Sequence, residues 1–232
     1  FENALAIFND FNIVVNNRDK KDYINSLSVS LLKGTSNFLK AYSSLKNQIK
    51  LSSKEKFMLQ ELTFFLGVQE FNDNNFDKAI SYFKESIDFA ENEQLLSAAE
   101  IWLADAFYQI GDYNSAQEIY LNQSLISDEF LNSLNLYNKA YTLFKLEDYK
   151  ASAKVFRKFI KVTKDSMFLN DSYLRIADSY FMEKDFILAE KYYKKSFDID
   201  LFDLDYSLYQ RSICMGVLNN KKEKIKLLEK II

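Results

Sequence analysis

The sequence predicts an all-α protein: an α-solenoid of helix-turn-helix repeats with a period of about 36–37 residues. Three observations predict it. One short pattern recurs at a near-constant interval, apolar residues on either side of it fall at spacings of three and four, and strand-like alternation is absent wherever that spacing appears.

The pattern is clearest in Gly111–Tyr120, where a polar turn is followed by an aromatic residue, a small residue three later and a second aromatic four after that. It returns in Asn74–Phe83, Glu147–Phe156 and Lys184–Tyr193, with the small residue at Ala79, Ala116, Ser152 and Ala189. Weaker copies centre on Ala41, with Leu45, and on Ala4, with Phe8. Lys221–Leu228 occupies the same frame, although Lys224 replaces the small residue. The chain accordingly divides into an N-terminal helical region of degenerate repeats, 1–59, and an array over 60–232. The repeats of that array span 60–93, 97–130, 133–166, 170–203 and 205–232.

Each period holds two amphipathic helices. Ahead of Gly111, Ala99, Leu103, Ala106, Phe107 and Ile110 form one apolar stripe, and beyond it Tyr113, Ala116, Ile119 and Tyr120 form another. Ser127 and Ser166 are the expected N-caps of the helices that follow them, since a hydroxyl can accept a first-turn amide hydrogen. Two helices joined by a tight turn pack closely only where one presents a small side chain. Ala79, Ala116 and Ala189 provide it, and Phe83, Tyr120, Phe156 and Tyr193 fill the space one turn on. A single hairpin leaves an apolar face uncovered, so neighbours must stack.

Composition narrows the function. Hydrophobic residues make up 48% of the 232 and charged residues 27%, as in a soluble folded protein. A net charge of −3, from 30 basic and 33 acidic residues, gives no field for gripping phosphates, so nucleic acid is excluded as the expected partner. The absence of histidine removes Ser-His and Cys-His nucleophiles and histidine-ligated metals. Cys214 stands alone and reads as a small buried hydrophobe, and the four glycines are too dispersed for a phosphate loop. No enzyme activity, cofactor or metal is expected. No stretch approaches the roughly 20 apolar residues of a membrane span, so this segment should make no membrane contact of its own. The chain opens on Phe1, which suggests a removed N-terminal signal or anchor and a bacterial cell-envelope location, with the cytoplasm as the other option.

The spacing of these residues resembles the tetratricopeptide repeat, a hairpin unit of about 34 residues. Ala104, Phe107, Gly111, Ala116 and Tyr120 fall on its small, aromatic, glycine, small and aromatic positions, and Ala177, Tyr180, Ala189 and Tyr193 match in the same way. Gly67 with Phe83 and Ala140 with Phe156 complete two further units. The chain departs from the pattern at Glu70 and Lys139, keeps the turn glycine only at Gly111, and lacks the family's proline. The resemblance implies a concave surface lined by fixed registers of each first helix. Here they carry Phe64, Ile101, Tyr137 and Leu174; then Asp105, Tyr141 and Asp178; then Phe71, Tyr108, Phe144 and Phe181. It implies a scaffold or adaptor that docks a helix or extended segment of another protein, with Asp105 and Asp178 favouring a segment that carries Lys or Arg. The alternative is a regulatory or substrate-recruiting domain of a larger enzyme. The Lys and Asn residues that clamp a chaperone C-terminus in some members are missing from these registers.

Overall fold

A computed structural model describes residues 38–48, 50–123 and 128–231, and these hold eleven α-helices and no strand. They are α1 (Phe38–Lys46), α2 (Ser53–Asn72), α3 (Phe76–Phe89), α4 (Glu93–Gln109), α5 (Tyr113–Asn122), α6 (Glu129–Lys145), α7 (Tyr149–Phe159), α8 (Ser166–Met182), α9 (Phe186–Ile199), α10 (Leu204–Val217) and α11 (Lys221–Leu228). The class is the all-α repeat class that the period implies. The copy expected around Ala4 and Phe8 lies outside the described residues, as does Ser127.

The chain forms two compact units, Phe1–Gly111 and Asp112–Ile232. In the first, α1 packs on α2, α2 on α3 and α3 on α4; in the second, each helix from α5 to α11 packs on the next. Stacking of neighbours is what buries the stripes. Phe83, Phe156, Tyr120 and Tyr193 are almost completely buried, each worth about 1.5–3 kcal/mol of burial.

Close helix approach depends on the small residues. Ala79, Ala116, Ser152 and Ala189 are all fully buried. Ser152 can stand where its counterparts are alanine because its hydroxyl donates to the Ala140 carbonyl across the hairpin, at 2.8 Å. Gly67 marks the tightest approach: a Cβ there would lie 2.6 Å from the ring of Phe83.

The turns show why one glycine among them suffices. Asn74, Glu147, Lys184 and Asn219 adopt the same left-handed conformation as Gly111, with φ near +60° against +84° for the glycine. Each sits at the C′ position of a Schellman turn, as in Glu147 N–H to Phe144 O and Asp148 N–H to Leu143 O at 3.1 and 3.0 Å. The following residue begins the next helix. Asp112, Asp148, Asp185 and Asn220 each accept an amide hydrogen from three residues on, so one short segment closes one helix and opens its partner.

The N-cap expectation at Ser166 is corrected. Ser166 is the first helical residue and Asp165 caps α8, its carboxylate accepting from both Met167 and Phe168 amides. A charged acceptor of two hydrogens, set against the positive end of the helix dipole, outcompetes a hydroxyl. Asp128 likewise caps α6.

Buried amides hold two of the linkers between repeats. Gln60 of α2 exchanges hydrogen bonds with the backbone of Asn92, at 3.1 and 2.8 Å, and accepts the Ser86 hydroxyl at its own carbonyl. In the second unit Asn170 donates to the Phe202 carbonyl and accepts from Ser196.

Gly67→Ala should lower stability by about 1–2 kcal/mol, because the overpacking against an immobile ring exceeds the gain in helix propensity. Gly216→Ala meets only the flexible end of Lys224, at 3.2 Å, and should be neutral or mildly stabilising. Thermal melts of the two variants against wild type check the contrast, and equal shifts would contradict it.

Candidate functional site

The central feature of the second unit is a polar spine rather than an open apolar trough. On α8, Asp171, Arg175 and Asp178 follow at intervals of four and three and so share one face. Arg175 Nη1 donates to Asp178 Oδ2 at 2.6 Å, and its Nε lies 3.5 Å from Asp171 Oδ1. Asp171 Oδ2 accepts the hydroxyls of Tyr137 and Tyr141, both on α6, at 2.8 and 2.5 Å. Asp178 Oδ1 accepts Tyr193 from α9 and Tyr206 from α10, at 2.6 and 2.8 Å. One arginine and two carboxylates thus tie four helices together.

Electrostatics follow from this packing. Burial, then the adjacent Asp171 carboxylate, pushes the Tyr137 and Tyr141 hydroxyls well above the ordinary tyrosine value. Burial and Asp178 do the same to Tyr193, and push Tyr206 up to about 12. Burial opposes the charge on Arg175, but Asp178, Tyr141 and Asp171 outweigh it and hold the guanidinium charged. These hydroxyls are donors locked onto carboxylates, unsuited to act as bases at neutral pH.

The expected groove residues are therefore distributed differently from a lined trough. Ile101 and Leu174 are fully buried and belong to the core. Asp178 is buried and already bonded to three protein groups, so the expectation that it attracts a basic partner segment is corrected. Arg175 is its counter-ion, and the hydroxyls of Tyr193 and Tyr206 occupy its other oxygen. Phe71, Phe144 and Phe181 clasp the turns, standing edge-to-face on Phe76, Tyr149 and Phe186 with ring centroids 5.3, 5.3 and 5.4 Å apart. Phe71 also abuts Trp102 at 5.1 Å, and Phe64 packs on Phe65 and Phe83. Asp105 and Tyr108 lie half-buried on α4.

An open apolar trough does exist where the first half of α6, the end of α7 and the start of α8 meet. It encloses about 470 Å³, with Tyr137, Phe159 and Phe168 mutually packed in its wall and Leu134 and Val162 beside them. Phe130 stands on its rim, 74% exposed. Of the residues expected to line a groove, it includes Tyr137 alone. Phe130, Val162 and Phe168 were not among those residues, because they lie outside the groove registers, at a helix start and in a linker. The i, i+4, i+7 spacing of Asp171, Arg175 and Asp178 is the signal that announces the spine.

Cys214 is fully buried, and burial pushes its thiol up to about 11, which leaves it inert at neutral pH. Among the described residues no group of three His, Cys, Asp or Glu could hold a metal ion, and no helix is long and apolar enough to cross a membrane.

Stacked helical hairpins with an alanine-rich crossing and αL turns define a helical-repeat protein. The tetratricopeptide repeat family matches residues 135–166 and 171–203. A crystal structure of MamA protein matches with a TM-score of 0.63 at 16% identity, covering 75% of this chain and 90% of that one. YrrB, a TPR protein with an unusual peptide-binding site, matches with a TM-score of 0.60 at 12% identity, covering 74% and 84%. MamA 41-end from Desulfovibrio magneticus RS-1 gives 0.59 at 14%, covering 75% and 93%. No curated protein sequence matches the chain. Two segments of the chain thus match the tetratricopeptide repeat family in sequence, and the solved structures share its fold.

Asp178→Ala should cost on the order of 3 kcal/mol, since Arg175 loses its closest counter-charge in a buried setting, whereas Tyr206→Phe should cost about 1 kcal/mol or less. Chemical denaturation of both variants tests the ranking.

The tyrosines also set the alkaline limit. A raised folded-state value means the folded protein holds these protons more tightly than the unfolded chain. The stability they contribute is whole below pH 10, the ordinary tyrosine value, and is lost as pH rises beyond it. Tyrosinate absorbance should therefore rise in two stages, exposed rings first and the spine rings only with cooperative unfolding. A single smooth titration of all rings in a folded protein would contradict the spine.

Proposed function

We propose that this protein is a scaffold that docks a segment of a partner protein in the apolar trough bounded by Phe130, Tyr137 and Phe168. The observation that carries it is the trough itself: about 470 Å³ of largely apolar space, with a phenylalanine 74% exposed at its rim. A solvent-facing aromatic beside a preformed hollow is the arrangement from which interface hot spots are built, because a rigid ring anchors a partner at little entropic cost. The tetratricopeptide fold supports interaction rather than catalysis, and YrrB is a solved relative in fold whose peptide-binding site is called unusual.

The occupant is an apolar segment with one or two aliphatic or aromatic anchors. Glu129, Lys164 and Asp165 give the rim both signs of charge, so the rim orients the segment rather than selecting a strongly charged one. Tyr137 forms the inner end of the site, held in place by its bond to Asp171.

Phe130→Ala/Val162→Ala should leave the melting temperature within a degree or two of wild type, because both side chains are exposed. The same variant should weaken binding of a cross-linked and identified partner by roughly tenfold to a hundredfold. Tyr137→Ala should instead lower the melting temperature through the spine. Undiminished affinity in the double variant would remove the trough from the binding site.

A further inference from the structure

Across α7 from that trough lies a second hollow of opposite character. It encloses about 670 Å³ between α7, the end of α8 and the turn into α9. Lys150, Lys154 and Lys158 follow at intervals of four along α7, with Arg157 and Lys161 beside them, and all five line the hollow. Helix α7 contains no acidic residue, whereas α3 and α9 mix Asp and Glu among their lysines. In a chain of net charge −3 this concentration is local, not a general bias.

The cations are not used internally. Among the described residues, Lys150, Lys154, Lys158 and Lys161 form no ion pair, and Arg157 donates only to the Tyr180 hydroxyl, at 3.3 Å. Like charges at intervals of four along one helix face repel. Lys139, on the neighbouring α6, has its value lowered by burial and then by Lys158. Unpaired like charges held along one helix face are a standing cost that a bound anion would relieve.

We infer that this basic hollow binds an acidic segment of a partner protein, a contact separate from the apolar trough. Its shape and edges select among anions. Ala153 is buried beneath the hollow, while the four lysines around it are exposed. The carboxylates of Glu183 and Asp185 close one end and repel a continuous polyanion such as nucleic acid. The two rings that line the hollow are already engaged: Tyr180 is stacked on Tyr192 with centroids 5.7 Å apart, and Tyr149 stands edge-to-face on Phe144 at 5.3 Å. From Lys150 to Lys158 the helix rises about 12 Å. An extended peptide covers that distance in roughly four residues.

The test is fluorescence polarisation with a fluorescein-labelled peptide of about eight residues, rich in Glu and Asp around one Phe, at about 50 and 300 mM salt. Arms with a Gln/Asn version of the peptide, a single-stranded oligonucleotide of equal charge and phosphatidylserine vesicles run in parallel. The acidic peptide should bind, weaken with salt, and lose about tenfold or more in affinity with Lys154→Glu/Lys158→Glu. Lys221→Glu/Lys222→Glu, an equal charge change elsewhere, should leave binding within about twofold. Phe130→Ala should not affect it, which separates this surface from the apolar trough. Relief of repulsion predicts that the Lys154→Glu/Lys158→Glu variant melts no lower than wild type. Absence of peptide binding, equal loss in both charge variants, or tighter binding of the oligonucleotide or vesicles would each overturn the inference.

Discussion

Everything in this chain rests on how closely two helices of a hairpin can approach. Where Ala79, Ser152 or Ala189 meets the preceding helix there is no room for a larger side chain, and at Gly67 not even for a methyl group. That closeness places the bulky ring one turn further on in the only space left for it. The ring's burial, worth a few kcal/mol, then stabilises the hairpin that made the space. Period, aromatic content and stacking direction follow from the repetition of this single contact, because each hairpin leaves one face that only the next can cover.

The spine on α8 illustrates how a repeat surface can look like a groove in sequence and be something else in structure. Asp178 holds a register expected to line a groove, yet with Asp171 and Arg175 it receives the tyrosine hydroxyls of neighbouring helices. A buried network of this kind adds little net stability over an apolar one of equal volume. Its effect is on registry: α6, α8, α9 and α10 can satisfy all four hydroxyls in one relative arrangement only. Phe130 and the α7 lysines, the residues of the two proposed contacts, are exposed and take no part in this network.

The fold was legible because its determinants are local and repeated. Ala116 with Tyr120, or Ala189 with Tyr193, states the same packing problem several times, and each copy corroborates the frame of the others. The site was less legible because register alone gives a direction and not an occupant. Ile101 and Leu174 share a register with Tyr137, yet their side chains end in the core, while the longer tyrosine reaches Asp171. Tyr193 is both a filler of space and a donor, because its ring fills the crossing while its hydroxyl extends beyond it. Phe130 and Val162 follow no repeat position, so no periodic argument could select them. The cap of α8 was misplaced by one residue for a related reason: Asp165 and Ser166 are both good caps, and only the backbone shows which of them precedes the first turn.

The left-handed turns carry a further consequence. Their conformation is imposed by the helices they join, since Asn74, Glu147, Lys184 and Asn219 hold it without the freedom of glycine. A position whose shape is dictated from outside is released from coding for that shape. The hairpin tips are solvent-facing, so the charge and size of each can drift while the core sequence stays fixed. Descendants of this array could acquire new surface identities there without renegotiating a single buried contact.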